Sequence, residues 1–266
     1  MINELLSVAI QAAMQAGELL RKKWEEPREI SEKGFRDLVT DADHASQALI
    51  VQIIQSHYPE HGFLVEEKVS DLPADGPVIW IIDPVDGTTN YSRHLPNFCI
   101  SIAAMKQPTL EASEPEILVG VIYDPMQDEL FQASAEQGAY VNGTRLQVSS
   151  TDDIGKAIIA VDWSHDPDQR QQTLDMLQNV AHHVQTMRAI GSAALTMAWI
   201  AAGRLDGYFN LNLKPWDVAA AKLIIGEAGG RLVNIQNGPW HLEDSGCFAG
   251  NGLVAPERIV KLTLDQ

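Results

Sequence analysis

The chain has 266 residues, 45% of them hydrophobic, with 36 acidic against 19 basic side chains and a formal charge of −17. That length and apolar content support a core rather than disorder, and the acidity argues against counterion-driven nucleic-acid binding and against attachment to an anionic membrane surface. It also means that an anionic substrate such as a phosphate ester would have to meet positive charge brought by metal ions.

The N-terminal stretch MINELLSVAIQAAMQ carries Glu4 early and has apolar residues at helical spacing. It reads as neither a signal peptide nor a membrane span, so a cytoplasmic protein is expected. Leu5, Val8, Ala9, Ala12, Ala16, Leu19 and Leu20 recur at three and four, predicting an amphipathic helix over about 3–25 with Arg21, Lys22 and Lys23 near its last turn. After a largely polar stretch over 27–37, Thr40 with Asp43 three later resembles a capping box. The helix it opens runs through Ile54, stops before Pro59, and has Asp41 and Asp43 in its first turn.

Short β-rich runs follow at 63–65, 78–82, 98–105, 117–123, 129–133 and 139–141, with Asn142-Gly143 as a tight hairpin turn. Past about residue 155 the pattern alternates: strand 157–161, helix 168–181, strand 184–190, helix 192–202, strand 207–211, helix 217–227 closed by Gly229-Gly230, and strand 231–234. No linker, repeat or low-complexity tract separates a sheet-rich half, 1–150, from an α/β half, 151–266, so the two are expected to pack as one unit. Cys99 and Cys247 form no Cys-x-x-Cys pair and read as small core hydrophobes. The eight histidines show no metal-like spacing beyond the His182-His183 pair, which reads as a solvated helix end.

The chemistry gathers where the apolar run Ile79-Trp80-Ile81-Ile82 breaks into Asp83-Pro84-Val85-Asp86-Gly87-Thr88-Thr89-Asn90. Taken alone, Asp-Gly after a strand is a turn. Its company argues otherwise: Glu66 and Glu67 end the preceding apolar run, and Asp41 and Asp43 open a helix, so carboxylates collect at element ends. Such a cluster repels itself unless hard divalent cations relieve it, and all-oxygen ligation selects Mg²⁺, Mn²⁺ or Ca²⁺ over zinc. Residues 83–94 lack the phasing of an EF-hand loop. Haloacid-dehalogenase phosphatases place their two aspartates two apart; here the spacing is three, which favours two metal ligands over a covalent aspartyl-phosphate. A second block, Lys214-Pro215-Trp216-Asp217 followed by Val218-Ala219-Ala220-Ala221, starts a helix with a carboxylate and gives it a small-residue face for close packing.

Together, Val65-Glu66-Glu67, the 80–90 block, Gly191-Ser192-Ala193-Ala194 and Trp216-Asp217-Val218-Ala219-Ala220 resemble the inositol monophosphatase family of Mg²⁺-dependent, lithium-sensitive phosphatases, over nearly the whole chain. The resemblance implies a mixed α+β and α/β fold, a layered α-β-α-β-α sandwich, with most metal ligands in the first half and a substrate pocket completed by the second. It implies two or three Mg²⁺ ions, replaceable by Mn²⁺. Glu66, Asp83 and the Val85 carbonyl would hold one ion, while Asp83, Asp86 and Asp217 would hold another. Thr88 would orient a metal-activated water and Asp43 would hold Thr88. Amides after Asp86, at Gly87 and Thr88, would meet the phosphate, and Gly191, Ser192 and Ala193 would line the alcohol side.

Inositol-specific members carry a glutamate seven residues before the aspartate of the Trp-Asp block, where this chain has Asn210. The expected function is hydrolysis of a small polyol or sugar phosphate, inositol monophosphate first. Fructose 1,6-bisphosphate, 3′-phosphoadenosine-5′-phosphate, NADP(H) and histidinol phosphate are the alternatives within the class, and a regulatory binding role, known of some bacterial relatives, is the alternative outside it. A homodimer is expected, without membrane attachment or direct nucleic-acid binding.

Overall fold

A computed structural model describes residues 1–27, 29–34, 37–70, 72–107, 116–255 and 257–264. The expected first helix forms as α1, Ile2–Trp24, which buries Leu5, Val8, Ala9, Ala12, Ala16 and Leu20 on one stripe. The polar stretch after it, to which the sequence assigned no element, contributes β1, Ile30–Gly34, which pairs antiparallel with β2, Asp37–Thr40. Thr40 caps α2, Asp41–His57, through the anticipated reciprocal box with Asp43.

One sheet then runs in chain order through β3, Gly62–Val65, and β4, Val78–Asp86. A five-residue helix, α3, Thr88–Ser92, follows before β5, Cys99–Lys106, β6, Glu116–Asp124, and β7, Glu129–Ser134. The sheet ends in β8, Ala139–Val141, and β9, Thr144–Arg145, joined by Asn142 and Gly143 with φ of 47° and 78°, the positive values a two-residue hairpin turn needs. Among the described strands of this sheet, β3–β4 is the parallel pair and the others are antiparallel.

The second half supplies β10, Ile158–Val161, α4, Pro167–Ala181, β11, Thr186–Arg188, α5, Ala193–Ala201, β12, Gly207–Asn210, and α6, Pro215–Glu227. It closes with β13, Arg231–Val233, β14, Cys247–Gly250, and α7, Glu257–Leu264. These strands form a mixed sheet in the order β11-β10-β12-β14-β13.

Alternation along the strands divides the core. Trp80, Ile82, Ile100, Ile102 and Val121 pack under α1 and α2, while Ile79, Ile81, Ala103, Met105 and Ile122 face α5 and α6. The second sheet sends Ala160, Tyr208 and Ala249 toward those same two helices, and Ile159, Val161, Phe209 and Phe248 toward α4 and α7. The result is the expected α-β-α-β-α order of layers. The central layer is thin because α6 presents Ala219, Ala220 and Ala221, all fully buried, and because a Cβ on Gly120 of β6 would stand 2.7 Å from the Ala220 carbonyl oxygen. A larger residue at Gly120 would push α6, and the Asp217 it carries, off the sheet.

Candidate active site

In a regular strand, residues three apart point to opposite faces. The pairing of β4 with β5 slips between Asp83, opposite Ser101, and Asp86, opposite Cys99. Pro84, which has no N–H to contribute to a ladder, sits within the slip. The slip returns Asp86 to the side of Asp83, facing α5 and α6. The strand therefore does not stop at Ile82; it carries both carboxylates to its end.

One oxygen of each carboxylate is fixed by a nearby donor. Val85 N donates to Asp83 Oδ1 at 3.0 Å, and Lys214 N donates to Asp217 Oδ2 at 2.7 Å in the first turn of α6. Asp86 Oδ2 accepts from Ser192 Oγ at 2.5 Å, Ala194 N at 2.7 Å and Cys99 Sγ at 3.6 Å, whereas Oδ1 takes only a longer bond from Ala193 N, 3.2 Å. Asp86 thus caps the start of α5, where the helix dipole favours negative charge. Oxygens from Asp83, Asp86 and Asp217 come within 4.8 Å of one another.

Burial pushes the Asp83 carboxyl well above its ordinary value, and the nearby charges of Glu66, Asp86 and Asp217 raise it further. Burial and Asp86 push Asp217 up to about 8. Asp86 is also raised by burial, against the pull of its donors. Acceptor-only groups crowded in this way fit hard divalent cations, which would keep all three ionised and offset their repulsion.

Beside them Thr88 Oγ1 donates to Asp43 Oδ1 at 2.8 Å and lies 3.1 Å from the Val85 carbonyl oxygen. Thr40 supplies both its N–H, at 3.0 Å, and its hydroxyl to Asp43 Oδ2, so the helix cap also fixes the Thr88 partner. Gly87 has φ of +99°, a left-handed conformation in which a Cβ would meet the Asn97 and Gly191 carbonyl oxygens at 3.0 and 3.1 Å. Asn90 clips the same junction by donating to the Asn97 and Ile190 carbonyls at 2.7 and 2.8 Å.

A cavity of about 700 Å³ opens over this floor, lined by Glu66, Asp83, Val85, Asp86, Gly87, Thr88, Gly191, Ala193, Asn210 and Asp217 among others. Every site residue read from the sequence therefore lies in the cavity or directly behind it. Asp43 stands behind Thr88. Ser192, placed by the resemblance on the alcohol side, is buried and turned onto Asp86. Glu66 lies beside Asp83 but outside the three-carboxylate group. Asp41, which opens the same helix as Asp43, pairs with Lys23 instead. Asn210 has less to offer than its amide suggests, since its oxygen accepts from Asn212 N at 2.9 Å and its nitrogen donates to the Tyr208 hydroxyl at 3.2 Å.

Three features escape sequence reasoning. The Cys99 thiol does more than fill the core; it reaches Asp86. Asp162, at the end of β10, accepts from Gly191 N at 2.8 Å and so fixes the turn that feeds α5; burial raises it to about 7. Trp163, His165 and Arg170 join the cavity wall. Only the position of Asp162 just beyond an apolar strand could have marked it.

Fold and site together define a protein with a cluster of carboxylates, able to hold a metal ion, on the floor of an open cleft. The chain belongs to the inositol monophosphatase family, which matches it over residues 1–265. The family is metal-dependent, and membership supports a phosphatase. Nus factor SuhB of Salmonella typhimurium is 38% identical over 266 residues, covering 99% of this chain and 95% of the relative, and Nus factor SuhB of Escherichia coli K12 matches to the same extent. Among solved structures, the extragenic suppressor protein SuhB of Bartonella henselae has a TM-score of 0.91 at 35% identity, over 98% of both chains. An IMPase of Thermotoga maritima has a TM-score of 0.88 at 30% identity, covering 98% of this chain and 97% of its own.

Proposed function

We propose that the protein is a Mg²⁺-dependent phosphomonoesterase acting on a small polyol or sugar phosphate. The observation that carries the reading is the convergence of Asp83, Asp86 and Asp217 within 4.8 Å, next to the Thr88–Asp43 pair. Glu66, Asp83 and the Val85 carbonyl would hold one cation, and Asp83, Asp86 and Asp217 a second. Bound divalent cations supply neutralisation of the phosphate and polarisation of water.

The protein's own groups do the rest. Thr88 commits its proton to Asp43, which leaves a hydroxyl lone pair to accept from a water and aim it at phosphorus. First-turn amides of α3, which have no carbonyl within the helix to bond, would meet the phosphate oxygens. Ser192 and the α5 amides hold Asp86 in one orientation, so that Oδ1, with its single longer bond, would be left to meet a cation. Residues 1–150 would supply most of the metal ligands and 151–266 complete the pocket, in a cytoplasmic homodimer.

Initial rates with Mg²⁺ on inositol 1-phosphate, fructose 1,6-bisphosphate, 3′-phosphoadenosine-5′-phosphate, NADP and histidinol phosphate test this reading. Hydrolysis of at least one ester, abolished by EDTA, is expected; no hydrolysis of any would remove it. The name Nus factor borne by the curated relatives favours a second reading, a binding role on the same fold. A variant lacking phosphatase activity that still fulfils the cellular role would support that second reading.

A further inference from the structure

The cavity is not acidic throughout. Its wall also includes Trp163, His165, Arg170, Asn212 and Lys214, next to Asp162, from the loop after β10, the first turn of α4 and the loop after β12. In a chain of charge −17, such a concentration of basic side chains beside one cleft needs a reason.

Ser164, itself buried, braces the three segments. Its carbonyl accepts from Arg170 Nε at 2.6 Å. Its hydroxyl donates to Gln169 Oε1 at 2.7 Å and accepts from Asn212 Nδ2 at 3.1 Å and Asp166 N at 3.0 Å. Arg170 is thereby held with its guanidinium carbon 5.9 Å from the centre of the Trp163 ring, and Trp163 is 40% exposed. A braced, planar guanidinium is pre-organised to pair with two oxygens of a phosphate or carboxylate, and an aromatic face beside it is a platform for a ring. The reacting phosphate would not need this wall, because its charge would be met by the cations held on the carboxylate floor.

We propose that the Ser164-braced wall is a subsite for a second anionic group carried by the alcohol part of the substrate, with Arg170 reading the anion and Trp163 lying against the ring that bears it. This deepens the phosphatase reading and rests on it for the reacting end. It names the substrate class as phosphomonoesters with a further phosphate or carboxylate, in preference to neutral polyol monophosphates. The anion can sit on a sugar or on a nucleoside, and Trp163 tells them apart, since a nucleobase gains more from stacking than a sugar ring does.

The test compares kcat/KM for fructose 1,6-bisphosphate, 3′-phosphoadenosine-5′-phosphate and inositol 1-phosphate in the wild type, Arg170→Gln and Trp163→Ala. Arg170→Gln is expected to lower the value for the doubly charged substrates roughly 10- to 100-fold, through KM, while inositol 1-phosphate changes less than about twofold. Trp163→Ala is expected to hurt the nucleotide more if a nucleoside is the natural ligand, and both doubly charged substrates alike if a sugar is. Equal loss on all three esters would mean a damaged scaffold and overturn the subsite, as would no loss on any. Calorimetry with fructose 1,6-bisphosphate separates the two claims. If the wild type hydrolyses nothing yet binds this ligand through Arg170, the phosphatase reading falls and the subsite stands; if Arg170→Gln binds it as tightly as the wild type, the subsite falls.

Discussion

The ends of the two large sheets carry different parts of the site. In the first sheet a single strand, β4, delivers Asp83 and Asp86 three residues apart, and α3 follows at once with Thr88. In the second sheet the strand ends deliver Asp162, Trp163 and Asn210 from segments some fifty residues apart, brought level because Val161 of β10 lies beside Phe209 of β12. Groups proposed to react come from one short stretch with a fixed internal geometry. Groups proposed to select come from several loops and meet only through sheet pairing. Loops of the second kind can change without disturbing the first.

Breaking the reacting end should cost most. Thr88→Val keeps the shape but removes the hydroxyl that Asp43 fixes, and kcat is expected to fall about 10²- to 10⁴-fold with little change in KM. Steady-state kinetics at saturating Mg²⁺ checks this; a fall in KM-linked binding alone would separate Thr88 from the chemistry.

Next in size is Ser192→Ala, which takes a 2.5 Å donor from Asp86. The Mg²⁺ concentration for half-maximal activity should rise about 10- to 100-fold while kcat at saturation largely recovers. A titration of activity with Mg²⁺ decides it.

The carboxylate floor also predicts a pH dependence for metal-free protein. Ordinary aspartate values near 3.8 are raised in the folded chain, to about 7 at Asp162 and about 8 at Asp217. The folded state therefore binds more protons than the unfolded chain between those limits, and its stability falls as pH rises through the window. Tm in EDTA should be lower at about pH 8 than at about pH 5.5, and Mg²⁺ should raise it more at the higher pH.

The smallest effect is expected at the selecting end. Asn210→Glu removes an amide whose oxygen already serves Asn212 and replaces it with a longer carboxylate. The ratio of kcat/KM for inositol 1-phosphate to that for fructose 1,6-bisphosphate should rise roughly 5-fold, since charge-assisted bonds to hydroxyls exceed neutral ones by about a kilocalorie per mole. An unmoved ratio would take Asn210 out of the substrate's reach.

The same contrast explains what could be read from sequence. Helices α1 and α2 announce themselves through period and cap, and the strands of the first sheet through apolar runs and Asn142-Gly143. The antiparallel pair β1 and β2 lies in polar sequence with no alternation to betray it. Strand β14, Cys-Phe-Ala-Gly, is too short and too small-sided to signal, and exists because β12 and β13 pair on either side of it. The acidic motif at 83–86 was legible as a site, but its slip in register was not, because the slip depends on β5. Trp163 and Arg170 carry no local signature, and Asp162 only its place just beyond an apolar strand; the fold gathers them.

Asp83→Asn tests most directly whether the buried carboxylates form the metal centre of a phosphatase, because Asp83 is the ligand assigned to both ions. Phosphatase kcat/KM measured alongside Mg²⁺ binding by calorimetry should show at least about a 100-fold loss of activity together with weakened binding. Near-normal turnover in Asp83→Asn, with Mg²⁺ bound as tightly as by the wild type, would contradict the account.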